Sequence, residues 1–244
     1  MKKFYLLLVC AVVLMMPKAK AQFNIQEMYD FGRGHFTTTF EFFNGDKFGN
    51  TFIFTDIYHP FTSHVPVGYY TEVSRSLNFW NDSKLRDFSI QLQWNGGQFA
   101  SNAWLIGVQY CFHDADFSNM LTIELMYKNI RQHKSSISSV FPIQLTAVWG
   151  CNDLFGVKGL VFSGFLDLWW EDIYGSPTKF NDVVLLAEPQ IWYNIGQHFN
   201  CKHLYAGGEV ELAYNFGGAR FSGAEFYKNE KFTVAPCLGL KWVF

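Results

Sequence analysis

Between Thr51 and His59, Phe52, Phe54, Asp56 and Tyr58 occupy alternate positions. In an extended chain residues two apart project to the same side, so this segment presents a strip of aromatic faces with a carboxylate set among them. The combination recurs elsewhere. Glu41 lies between Phe40 and Phe42, Glu72 precedes Arg75 by three residues, Asp167 shares a parity with Trp169, and Glu188 shares one with Gln190 and Trp192. Rings offer stacking surfaces, while carboxylates and amides hold hydroxyl and amino groups. The chemistry this favours is weak, reversible contact with small polar solutes, since sites that bind too tightly do not let a solute leave. Covalent catalysis would need a nucleophile with a base in reach. The seven histidines (His35, His59, His64, His113, His133, His198, His203) are scattered, mostly in turns, with no serine motif at a recognisable spacing.

These side chains must be positioned by strands. Alternating segments separated by Gly, Asn, Asp and Ser turn residues predict twelve strands: 23–31, 36–44, 51–59, 69–80, 87–95, 102–112, 120–130, 140–151, 159–170, 182–194, 203–216 and 231–244. Each is close to the roughly 9 to 11 residues that a tilted strand needs to cross hydrocarbon. The last strand sets Phe232, Val234, Leu238, Leu240, Trp242 and Phe244 against Thr233, Cys237, Gly239 and Lys241. The expected fold is therefore all-β, a closed transmembrane antiparallel barrel with both termini at one rim, the even strand number being that of bacterial single-chain barrels. A ten-stranded barrel with an N-terminal plug is the alternative. Only about ten residues separate Gln22 from the first turn, however, which argues against a plug domain of the kind that energised transporters place before the barrel.

Parity then divides lumen from lipid. Phe88, Ile90, Leu92 and Trp94 must face outward if Ser89, Gln91, Gln93 and Asn95 face inward. The same reasoning turns Glu41, Glu124, Lys128, Glu209 and Glu211 inward, because a carboxylate on the lipid face near the midplane is costly. Asp56 carries Phe52, Phe54 and Tyr58 inward with it. Glu72 and Arg75 fall on opposite parities, so either a β-bulge brings both into the lumen or Arg75 snorkels from near a rim. The bulge is preferred here, as it would pair an arginine with the luminal carboxylates. Such ionisable groups could equally serve only to rigidify a narrow barrel.

The N-terminal segment fits export. Met1-Lys2-Lys3 is followed by an apolar run from Phe4 to Met16 and by Ala19-Lys20-Ala21, the small-x-small pattern of a cleaved signal peptide. Residues 1–21 are thus assigned to the signal and 22–244 to the barrel. Cys10 lies within the apolar run rather than after a cleavage box, which argues against a lipoprotein, and the run is shorter than a spanning helix requires.

Composition agrees. Apolar residues make up 49% and aromatics 19%, with 27 Phe, 12 Tyr and 8 Trp, yet mean hydropathy is near zero, because apolar and polar residues are interleaved. A net charge of -2 leaves no basic footprint for nucleic acid. Cys111, Cys151, Cys201 and Cys237 are too widely spaced for a metal or redox motif, and their pairing is left open. No metal, cofactor or energy-coupling motif is visible.

Phe36-Thr-Thr-Thr-Phe-Glu-Phe-Phe43, Gly49-Asn-Thr-Phe-Ile-Phe-Thr-Asp56 and Tyr70-Thr-Glu-Val-Ser-Arg75 resemble the opening strands of the Tsx-like nucleoside-specific channels of bacterial outer membranes, as Leu160-Val-Phe-Ser-Gly-Phe-Leu-Asp167 with Trp169-Trp-Glu-Asp172 resembles a later one. The pattern also resembles a related group of barrels of unassigned function. The resemblance implies a passive outer-membrane channel and not an enzyme. Glu41, Phe52, Phe54, Asp56, Tyr58, Glu72, Arg75, Asp167, Trp169, Glu188 and Trp192 would then contact the solute, nucleosides first among candidates. It further implies contact with outer-membrane lipid and recognition of the strand from Phe232 to Phe244 by the barrel-assembly machinery. Two other classes remain: a structural or binding barrel acting through outer loops, with Tyr174 and Phe221 as its hints, and, less favoured, a lipid-modifying barrel enzyme.

Overall fold

Hydrocarbon offers a strand no hydrogen-bond partner, so every backbone N–H and C=O within it must be paired sideways. The computed structural model, which describes residues 22–60, 68–80, 82–98, 102–131, 141–172, 181–216 and 232–244, meets that demand with a closed antiparallel barrel. Its strand segments are β1 (Gln22–Asp30), β2 (His35–Asp46), β3 (Gly49–Pro60), β4 (Gly68–Leu77), β5 (Phe88–Gly97), β6 (Asn102–His113), β7 (Asn119–Arg131), β8 (Ile143–Cys151), β9 (Leu160–Asp172), β10 (Asn181–Ala187), β11 (Gln190–Tyr193), β12 (Leu204–Tyr214) and β13 (Phe232–Val243). Sequence neighbours are sheet neighbours throughout. The ring closes where β1 meets β13, with Asn24 opposite Val243 at one end and Asp30 opposite Cys237 at the other.

β10 and β11 are two halves of a single stave, which brings the ring to twelve. Both pair with β9 and with β12, and neither register slips between them. Ala187 faces Leu166 and Leu212, and Gln190 faces Ser163 and Glu209. The interruption at Glu188-Pro189 follows from chemistry, because Pro189 has no N–H to give to the ladder. Across from it Gly164 adopts φ +148°, and a Cβ there would lie 2.3 Å from the Glu188 carbonyl oxygen. Glycine is what lets the two backbones approach.

The expected twelve strands are thus present, with end shifts of a few residues. The ten-strand alternative fails, since β1 is hydrogen-bonded along both edges, to β13 and to β2. Residues 1–21, expected to form a signal peptide, lie outside the described residues. So do much of the longer connections at the rim opposite the termini, with His64, His133, Tyr174 and Phe221. At the rim that carries the termini the turns are compact. One contains a short 3-10 helix, Ile195–Phe199, whose first turn is capped by the Asn194 side chain accepting from the Gln197 N–H at 3.0 Å. Cys111, Cys151, Cys201 and Cys237 are all free thiols.

Burial is inverted relative to a water-soluble sheet. Gln26 and Gln144 are 0% exposed, whereas Trp104 and Leu238 are each 62% exposed. The outward faces of β5 to β8 carry residues such as Leu92, Trp104, Ile106, Val108, Leu121 and Leu125. No helix among the described residues is long and apolar enough to cross a membrane; the strands carry the crossing. An Ile106→Arg change should therefore destabilise the folded barrel by about 2 to 4 kcal/mol, the cost of a cation on a lipid face near the midplane. Denaturant titration of the chain refolded into lipid vesicles measures this, and an unchanged midpoint would show that Ile106 does not face lipid.

Candidate functional site

Residues directly opposite on paired strands share a face, so the register shows which luminal side chains meet. Asn24, Glu41, Phe54, Glu72 and Asn95 form one continuous row across β1 to β5, and Gln26, Thr39, Asp56 and Tyr70 form the next. Within the first row, the Asn24 amide donates to Glu41 at 2.7 Å, and the Asn95 and Gln93 amides donate to Glu72 at 2.8 and 2.9 Å. Tyr70 donates its hydroxyl to the same Glu72 carboxylate. In the second row Thr39 donates to Asp56 at 2.6 Å. Each carboxylate is held by neutral donors, which offsets its removal from bulk water.

Asp56 does carry three rings inward. Phe52 and Phe54 lie 6.1 Å apart between centroids, Phe54 and Tyr70 lie 5.9 Å apart, and Tyr58 meets the His35 ring edge-on at 5.7 Å. These rings form an aromatic ladder down the β3–β4 wall, beside Glu41, Asp56 and Glu72. Tyr70 was not singled out from the sequence, although its parity with Glu72 was the available signal.

The two tryptophans have a different setting. Trp169 is 4% and Trp192 1% exposed. Trp169 packs with Val184, Leu186 and Ala213, and Trp192 with Met28 and Cys237. A lysine covers a face of each: Lys128 Nζ lies 3.6 Å from the Trp169 ring and Lys241 Nζ 4.4 Å from that of Trp192. Both rings point inward, as parity requires, but they are built into the wall. Polar relays extend from them. Lys128 donates to Gln144 at 2.6 Å, Gln144 to Thr146 at 2.9 Å, and Thr146 to Asp167. Trp192 donates to Gln190 at 2.9 Å, and Gln190 to Glu209 at 2.8 Å.

The expectation for Arg75 is corrected. The β3–β4 and β4–β5 registers run without a bulge, so Arg75 keeps the outward parity opposite to Glu72. Its guanidinium runs along the wall to the rim, 3.1 Å from Thr51 Oγ1 and 2.8 Å from an Asp46 carboxylate oxygen. Snorkelling satisfies the charge without disturbing the ladder, whereas a bulge would have left ladder groups unpaired.

Arg33 supplies the arginine among carboxylates. From the first turn opposite the termini it folds into the lumen, bridges to Asp30, and places Nη2 2.6 Å from Glu211 of β12. Glu188 interacts electrostatically with Glu209, Glu211, Asp56 and Arg33, which makes Arg33 the centre of an acidic ring. The signal was Asp30 three residues before Arg33 around the Gly32 and Gly34 turn. Lower in the wall, Glu72 of β4 interacts electrostatically with Asp167 of β9 and with Lys128 and Glu124 of β7. Four staves separate β4 from β9 by the shorter path around the ring, so this interaction links groups on strands that are not sheet neighbours. Among the described residues no group of His, Cys, Asp and Glu is arranged to hold a metal.

A profile of the family described as "Domain of unknown function (DUF5020)" matches residues 21–244, and the chain belongs to that family. No curated protein matches its sequence significantly. Among solved structures it is similar to a NanC porin structure in a rhombohedral crystal form, with TM-score 0.53 and 7% identity, covering 90% of this chain and 98% of that one. It also matches the KdgM porin, with TM-score 0.48 and 11% identity, and a complex of that porin with disordered oligogalacturonate, with TM-score 0.47 and 11% identity; each covers 91% of this chain and 99% of the other. At these identities the likeness to the NanC porin concerns the fold alone.

If Arg33 guards the path through the barrel, Arg33→Ala should raise cation selectivity, because Asp30 and Glu211 lose their counter-charge. In a KCl gradient across a planar bilayer the reversal potential should move toward that of potassium. A reversal potential equal to that of the unaltered protein would place Arg33 off the conducting path.

Proposed function

We propose that this DUF5020 member is an outer-membrane channel through which small polar solutes diffuse passively, with uncharged nucleosides as the leading solute class. The observation that carries the reading is the β3–β4 wall, where Phe52, Phe54 and Tyr70 step along the lumen beside Glu41, Asp56 and Glu72. A nucleoside has a flat base that stacks on such rings and ribose hydroxyls that donate to such carboxylates. Stacking of a base on an aromatic side chain is worth about 1 to 3 kcal/mol, enough to favour entry and too little to trap.

Charge points the same way. Asp30, Glu41, Asp56, Glu72, Glu124, Asp167, Glu188, Glu209 and Glu211 outnumber Arg33, Lys128 and Lys241 among the charged side chains described above. The excess of carboxylates disfavours anionic nucleotides relative to neutral nucleosides. Tyr58 completes the solute-contacting set near Arg33, and Glu188 and Asp167 belong to the same set. Trp169 and Trp192 fix the wall and present Lys128 and Lys241 to it. The Tsx-like resemblance of the segments around Glu41, Asp56 and Glu72 supports the choice of nucleosides.

An apolar belt around a closed barrel, together with the signal-like pattern of residues 1–21, supports export to the bacterial outer membrane. The closing strand β13, followed by Phe244, is the segment that the barrel-assembly machinery would engage. The second reading is a structural or binding barrel without transport, and the electrostatic interaction between Glu72 of β4 and Asp167 of β9 favours it.

Single-channel recording of the purified chain in planar bilayers separates the two. Adenosine or thymidine should block the current in a concentration-dependent way, and Phe54→Ala should raise the half-blocking concentration roughly 5- to 150-fold, the loss of one stacking contact; Asp56→Ala should weaken block as well. Conductance indifferent to nucleosides would leave a channel of other selectivity. No conductance from folded protein would establish the structural reading.

A further inference from the structure

The wall of β1 to β3 breaks the rule that the rest of the belt obeys. Glu27 lies on the outward face of β1, three residues before its end at Asp30, with Ile25 and Tyr29 to either side of it on that face, and is exposed. It accepts a hydrogen bond from Thr38 Oγ1 of β2 at 2.6 Å, and the same oxygen lies 2.9 Å from His59 Nε2 of β3. The register confirms the outward placement, since Glu27 pairs with Thr38 and Thr38 with Ile57. Beside this cluster, Thr55 and Thr71 exchange a further outward hydrogen bond at 3.1 Å. The opposite sector, around Ile106 and Leu125, is uniformly apolar. An acid and an imidazole on the outward wall, Glu27 three residues from the end of β1 and His59 one residue from the end of β3, are costly wherever hydrocarbon reaches them and mark a site that something other than lipid covers. The Thr38 hydroxyl points its proton at Glu27 rather than at His59, so the group is not set for nucleophilic attack.

We propose that this sector is a two-fold interface with a second copy of this chain. The argument is charge complementarity combined with geometry. Two barrels inserted in the same sense and related by an axis along the membrane normal present like strands at like depth, in reversed lateral order. With the axis at β2, the acid-bearing β1 of one copy faces the base-bearing β3 of the other. Glu27 then meets His59 twice, once on each side of the axis, and Thr38 sits beside the axis. An isologous contact needs one patch that complements itself, and acid and base flanking a shared hydroxyl provide it. A cyclic trimer would need acid and base on two separate patches. The contact lies on the outside of the barrel and does not depend on which solute the lumen passes.

The test is cysteine cross-linking in the outer membrane of a Gram-negative host, with the unaltered chain as the background for its native thiols. Thr38→Cys, or Phe40→Cys on the same outward face should Thr38→Cys fail to fold, is treated with a short bifunctional maleimide, and Ile106→Cys serves as the opposite-wall control. A cross-linked band at twice the chain mass for β2 but not for Ile106→Cys is expected. Glu27→His should abolish that band, and Glu27→His combined with His59→Glu should restore it. Absence of the band from folded β2 variants, or equal cross-linking through Ile106→Cys, would overturn the interface.

Discussion

Pairing of β1 with β13 is the constraint from which the rest of the structure follows. It removes the last free sheet edge, and in hydrocarbon an unpaired edge would leave a row of unsatisfied amides and carbonyls. Once the ring is closed, one face of every strand is committed to lipid and the other to the lumen, and a slip of one residue anywhere would exchange the two. The steady register from Asn24 opposite Val243 around to β12 opposite β13 shows this commitment carried through. Even the proline at position 189 is absorbed as an interruption without a slip.

Closure also concentrates charge. A ring of twelve strands leaves a narrow interior, and the inward parity places many carboxylates within it. Two devices make that arrangement tolerable. Along the β1–β5 wall Glu41, Asp56 and Glu72 are held by neutral amides and hydroxyls, as with Glu41 and Asn24 or Asp56 and Thr39. Elsewhere cations are brought in on long side chains, Arg33 from a turn and Lys128 and Lys241 over tryptophan faces. The first device leaves oxygen acceptors beside half-buried rings and suits passage. The second fills space and suits rigidity.

Much of the barrel was legible because its code is local. Alternation with period two marks a strand and its faces without reference to any other strand, so Phe88 to Asn95 could be read from eight residues alone. Asp56 fixed the inward direction of Phe52, Phe54 and Tyr58 in the same way. Arg75 misled because its charge suggested the lumen while its parity said otherwise, and parity prevailed: a long side chain reaches a rim at little cost, whereas a bulge breaks ladder bonds. Trp169 and Trp192 show a further limit. Their direction was readable, but the lysines over them were not.

The sequence by itself determined the antiparallel barrel class and the face of nearly every strand residue, since both follow from alternation and turn chemistry along the chain, while the pairing of β1 along both edges decided for twelve strands over ten. Only the tertiary structure decided which luminal groups meet. Arg33 and Glu211 are 178 positions apart, and Glu72 of β4 interacts electrostatically with Asp167 of β9. Those encounters depend on strand tilt and on the curvature of the closed ring, which set the height and azimuth of every side chain. They are properties of the whole circumference, so no single segment can encode them.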